Sequence, residues 1–209
     1  MPTVSRRPAS LNPGTRRRGC IAVLVTLSAC SAHVQYHTPF DNEPPPPRTC
    51  VRLDAVDARP MEFGGSDRRR IGNIRNGIGI PYAFAQGSED PEVLSLVMGA
   101  TRDALRAAST RECSDGTSRL SVHLLRFWTD GSVEYEVEIR VKYSLFDEHG
   151  SSRWSREVAE VAREVVFTTE MHSRLIEAAL QNMARKAHLL FTSPEVDTIL
   201  HSGDSSRTP

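Results

Sequence analysis

Nucleophilic catalysis needs a Ser, Cys or Thr next to a base that a third group orients. The candidate bases weighed in the C-terminal part of the chain include His123, His149, His172 and His188. The surrounding patterns place His123 on a strand, His149 in a turn, His172 at a helix start and His188 further along that helix. None of them falls in a GxSxG, HExxH or SxxK context. Histidines scattered in this way are ordinarily surface or capping residues, so no catalytic residue is assigned. The four cysteines, Cys20, Cys30, Cys50 and Cys113, show no CxxC and no Cys/His spacing of the kind that holds zinc. His33 and His37 lie close together, but in a leader without acidic partners, which does not make a metal site. The glycines at 64, 65, 72, 77, 79 and 87 match neither GxxxxGK[ST] nor GxGxxG, so no nucleotide cofactor is expected.

The clearest chemistry lies near the N-terminus. Arg16-Arg17-Arg18 precede a charge-free run from Gly19 to Cys30 that ends Leu27-Ser28-Ala29-Cys30. A cationic segment followed by a short apolar one has the form of an export signal. The apolar run is about ten residues, half of the roughly twenty that a transmembrane helix needs. Its last four residues resemble the bacterial lipobox, in which the cysteine is diacylated and becomes the mature N-terminus. Residues 1–29 are then a lipoprotein signal peptide and Cys30 the lipidation site. An ordinary signal peptide cleaved nearby, with Cys30 free to form a disulfide, is the alternative; the arginines also permit a twin-arginine signal. An acylated chain is anchored rather than spanning, at about 0.8 kcal/mol per buried methylene. Ser31, rather than Asp, follows Cys30, which by enteric sorting rules resembles an outer-membrane address.

Removing residues 1–29 leaves about 180, enough for one domain with its own core. It also removes five of the 26 basic residues and none of the 26 acidic ones, leaving a net charge near −5. That balance argues against nucleic acid as a partner. Cys20 leaves with the signal and Cys30 is acylated. Cys50 and Cys113 remain, which in an oxidising periplasm suggests one disulfide; two unpaired thiols are the alternative. Such a bond would close a loop of about sixty residues, worth up to roughly 4 kcal/mol.

Residues 30–49 read as the lipidated Cys30 and a linker, with Pro44-Pro45-Pro46-Pro47 as a polyproline II spacer lifting the domain off the membrane. The domain is expected over 50–201, with a disordered tail at 202–209. Residues 51–57 alternate as a first strand; 61–89 are irregular, with a short strand at 78–84 and a solvated basic cluster, Arg68-Arg69-Arg70. Asp90-Pro91 opens a helix carrying Leu94, Val97, Thr101, Leu105 and Ala108 on one stripe. Leu120–Trp128 is a strand, Asp130-Gly131 a hairpin turn, and 133–145 a partner strand with period two throughout. Its charged row, Glu134, Glu136, Glu138, Arg140 and Lys142, is a solvated face by default and a candidate docking face otherwise. Residues 153–167 fit helix and strand alike. Met171, Leu175, Ala179, Met183, Ala187 and Leu190 form a long amphipathic helix, and Ser193-Pro194-Glu195 caps a short last one through about Leu200.

This order resembles the YajG-like family of uncharacterised bacterial lipoproteins. The resemblance covers about Cys50 to Leu200, through Asp57-Ala58-Arg59, Ile71-Gly72, Ala104-Leu105, strand 133–145 and Ser193-Pro194-Glu195-Val196. It implies that 153–167 is a strand, and it brings no catalytic residues. The long loop 61–89 and the two cysteines depart from the family pattern. The expected architecture is α+β: an antiparallel sheet of three to four strands, with two helices packed on the face lined by Tyr135, Val137, Ile139 and Val141. A helix running back along the first strand would make Cys50 and Cys113 neighbours, favouring the disulfide. The expected function is non-enzymatic. A domain anchored to the membrane through Cys30, with an envelope protein and no nucleic acid as its expected partner, would face the periplasm from the outer membrane. An envelope hydrolase, or a module binding a small molecule or lipid between helices and sheet, is the alternative.

Overall fold

The computed structural model describes residues 34–40, 43–63, 68–75, 81–86, 93–166 and 168–202. The signal segment, Cys30, the Asp90-Pro91 helix start and residues 203–209 lie outside these. The elements run β1 (Thr49–Asp57), a 3₁₀ turn (Met61–Phe63), β2 (Arg70–Arg75), β3 (Pro81–Gln86), α1 (Val93–Ala107), β4 (Thr110–Glu112), β5 (Ser118–Gly131), β6 (Glu134–Phe146), β7 (Ser152–Val165), α2 (Thr169–Phe191) and α3 (Pro194–Ser202). Among the described residues, no helix is long and apolar enough to cross a membrane.

The alternating residues of 133–145 form β6, the middle of an antiparallel meander. It pairs with β5 from Arg119↔Phe146 to Gly131↔Tyr135, and with β7 from Glu134↔Val165 to Phe146↔Ser152. Residues 152–165 are therefore strand, as the family resemblance implies. The far edge of β5 is shared by two strands. β1 runs parallel to its first half, from Val51↔Ser118 to Asp57↔Leu124, and β2 parallel to its end, from Gly72↔Thr129 to Ile74↔Gly131. The register shift between Leu124 and Arg126 falls where one hands over to the other. β3 pairs antiparallel with β2, and β4 extends β1 for three residues.

The sheet is thus mixed and seven-stranded, which corrects the expected antiparallel sheet of three to four strands. Alternation in β1 reports which face is buried, not strand direction. Parallel pairing of β1 with β5 needs a long crossover, and the chain from Ala58 to Thr117, with β2, β3, α1 and β4, supplies it. β3 overlaps the short strand expected at 78–84, whereas β2 lies in the part expected to be irregular. Gly72 is required there: a Cβ would stand 1.9 Å from the Thr129 carbonyl oxygen.

One sheet face is covered by α1 and α2, as expected. Tyr135, Val137, Ile139, Val141, Tyr143 and Leu145 of β6 are buried beneath Val97, Ala100 and Ala104 of α1 and Ile176, Leu180 and Met183 of α2. The Tyr143 hydroxyl lies 3.1 Å from Thr101 Oγ1, its ring edge-on to Phe191 at 5.2 Å. Burial pushes that phenol up to about 12. Small residues on both helices allow the layer to approach closely.

Part of the segment read as a linker, residues 34–40, packs on the domain. Val34 is 1% exposed and joins the core, with Tyr36 and Phe40 packed against it. Tyr36 lies beside Gly99 of α1, and His37 Nδ1 is 2.5 Å from Glu177 Oε1 of α2. The His37 carbonyl accepts from Gln181 Nε2 at 3.1 Å, and Phe40 meets the His188 ring. Residues 34–40 are a strap lying across α1 and α2. Apolar side chains at 34, 36 and 40 outweigh the polar ones, because the groove offers them burial. The exposed polyproline run precedes β1.

Candidate functional site

The four histidines are not brought together. Thr168 caps α2, its side chain accepting from Met171 N at 3.2 Å. This sets His172 in the first turn, pointing into the core. It is 2% exposed, with Nε2 2.8 Å from Thr129 Oγ1 and its ring 5.0 Å from that of Tyr135. Desolvation pushes it down to about 4, so it is neutral in the folded chain. His123 is on the opposite sheet face, 3.0 Å from Ser121 Oγ. His149 is exposed in the β6–β7 turn, and His188 lies under Phe40.

Cys50 and Cys113 are bonded, with Cα atoms 5.7 Å apart. Parallel pairing of β1 with β4 brings them together: Cys50 lies opposite Arg111, and Cys113 N donates to Val51 O at 3.0 Å. Asp115 is close by, but both sulfurs are consumed by the bond, leaving no thiolate for a metal.

The charged row of β6 lies on the face away from the helices, but it is not a free docking surface of five charges. Glu138 is 8% exposed, held by Arg126 Nε at 2.6 Å and Arg140 Nε at 2.5 Å. Glu136 pairs with Arg163 across β7. Glu134, Arg140 and Lys142 are the exposed members. Trp128, also 8% exposed, sits on this same outward face under Phe63 and Arg70. The 3₁₀ turn folds over it, and Arg126 lies over Phe63. Alternation alone does not reveal that cover.

Asp57-Ala58-Arg59 is a clamp. Both charged side chains are buried and doubly hydrogen-bonded to each other, and Arg59 also donates to the carbonyls of Arg70 at 2.7 Å and Arg68 at 3.0 Å. It fixes the turn from β1 toward β2, and with it the basic cluster 68–70.

The feature that sequence spacing missed is a cleft of about 650 Å³ beside β1, lined by Arg52, Leu53, Asp54, Arg102, Leu105, Arg106, Arg111, Glu112, Cys113 and Ser114. It exists because β4 stops at Glu112 while β1 continues to Asp57. Its arginines come from β1, α1 and β4, three segments with no common motif. Arg102 pairs with Glu112 at 2.6 Å, Arg106 with Asp103 at 3.1 Å, and Asp54 with Arg119 at 3.2 Å. Among the described residues, Arg52 and Arg111 have no carboxylate partner.

No family model and no curated protein matches the chain. Among solved structures it is similar to protein XCC0632 of Xanthomonas campestris, of family DUF330. That match has 15% identity and a TM-score of 0.54, and covers 85% of this chain and 99% of that one. At that identity the likeness is one of fold. The minor lipoprotein of Acinetobacter baumannii matches at 12% identity and a TM-score of 0.39, over 60% of this chain and 93% of that one. Lipoprotein GNA1162 of Neisseria meningitidis matches at 10% and 0.29, over 66% and 99%. Neither of the last two carries an argument for this chain.

Proposed function

We propose that this chain is a non-enzymatic bacterial envelope lipoprotein, acylated at Cys30, whose domain faces the periplasm from the outer membrane and binds or supports another envelope component. The observation that carries the reading is the Cys50–Cys113 bond. Disulfides persist in oxidising compartments, and the Arg16–Cys30 segment has the form of a signal to reach one. The resemblance to YajG-like lipoproteins supports the same assignment.

The strap adds a geometric consequence. Val34 is buried and only three residues separate it from Cys30, a reach of at most about 14 Å at roughly 3.5 Å per residue. In this reading the domain lies against the lipid surface rather than on a long tether.

Mass spectrometry of the N-terminal peptide from membranes tests the anchor. Diacylglyceryl-modified Cys30 is expected, with release of a Cys30→Ala chain into the soluble fraction. An unmodified Cys30 peptide, or a mature N-terminus elsewhere, overturns it.

A further inference from the structure

We propose that the outer edge of β1, from Arg52 onward, receives an extended, carboxylate-bearing segment of a protein partner as an added strand. This rests on the reading of the chain as a binding module and says where and what it binds.

The backbone comes first. β4 accompanies β1 only as far as Val51, where Cys113 N makes the last bond to the Val51 carbonyl. Beyond it β1 is paired with β5 on one side and borders the cleft on the other. An edge that exposes alternating N–H and C=O groups is a template for strand addition. The long edge of β7 is defended: it carries charges at Arg153, Arg156, Glu157 and Glu164, and Lys186 Nζ lies 2.7 Å from the Ala159 carbonyl. The free stretch of β1 has no proline, and its inward residues, Leu53 and Ala55, are apolar.

Charge selects the occupant. Four arginines line the cleft against Asp54 and Glu112. With Arg102, Arg106 and Asp54 already paired, Arg52 and Arg111 are left uncompensated. The excess is positive on a chain that is net negative once the signal segment is removed. Guanidinium groups bind carboxylates in bidentate fashion. A phosphate or lipid headgroup would use those two side chains and leave the strand edge unpaired, whereas an acidic peptide satisfies both.

The test places a photo-crosslinking amino acid at Ser114, which lines the cleft and is exposed, in the full acylated chain in cells. Control positions are Lys142 on the sheet face and Glu157 on the β7 edge. The expected result is a discrete protein adduct from Ser114 whose crosslinked peptide is acidic. It should fall at least tenfold in the Arg52→Gln/Arg111→Gln chain while the Cys50–Cys113 bond, read by non-reducing mobility, still forms. An adduct of lipid mass, or a protein adduct indifferent to the two substitutions, overturns the proposal. Protein adducts only from Lys142 or Glu157 overturn it and leave the binding-module reading standing; none from any position overturns both.

Discussion

The imidazole of His172, at the head of α2, reaches Thr129 in the middle of the sheet, Nε2 2.8 Å from Oγ1. The folded chain keeps this ring neutral, because burial pushes it down to about 4 from 6.5. As pH falls below about 6.5, the unfolded chain takes up a proton that the folded one refuses. Stability from this group is therefore full above about 6.5 and declines until the folded pKa is passed. The loss is about 2 kcal/mol between pH 7.5 and 5, and about 3 kcal/mol in full. Urea midpoints at the two pH values should drop further in the native chain than in His172→Gln. Equal drops in both would sink the claim.

The bond between Cys50 and Cys113 spans 63 residues. In the chain-entropy model its removal costs about 4 kcal/mol. The Cys50→Ala/Cys113→Ala chain should unfold at lower urea, with amide exchange increasing first in β4, which has three paired residues to hold it. A change below about 1 kcal/mol would show that the β1–β4 corner holds without the bond.

Asp57 and Arg59 form the buried ion pair of the fold's first turn, their side chains 3% and 0% exposed. Removing one partner strands the other charge, at about 3–5 kcal/mol. Asp57→Ala should cost that much and free residues 68–75 for exchange, since Arg59 also anchors two of their carbonyls. Asp57→Ala/Arg59→Ala should cost less than the two single changes added together. Additive costs would mean that the residues act separately.

Elements with long periodic patterns were legible: β6 over thirteen residues, α2 over its whole stripe, and the helical coda after Ser193. Their periodicity follows from one face being buried. What the pattern omits is direction and company. β1 alternates the same way beside a parallel or an antiparallel neighbour. Trp128 falls on the outward set of β5, and only the 3₁₀ turn makes it a buried residue. β2 was obscured because its glycine answers to Thr129, far away in sequence. The strap has too few apolar residues for any period. The cleft arginines at 52, 102, 106 and 111 meet only because β1, α1 and β4 converge.

Gly99 offers a test of the strap with two opposite signs. A Cβ there would stand 3.6 Å from Tyr36 Cδ1, ordinary contact, so Gly99→Ala fits. Replacing a mid-helix glycine by alanine should then stabilise α1 by about 0.5–1 kcal/mol. Gly99→Leu puts three more carbons where the Tyr36 ring lies. It should lift residues 34–40 off the helices and break the His37 contacts to Glu177 and Gln181. Limited proteolysis and amide exchange read this directly: cleavage near Tyr36 in the leucine chain, protection in the alanine chain. If both remain equally protected, the strap is held elsewhere than at Gly99.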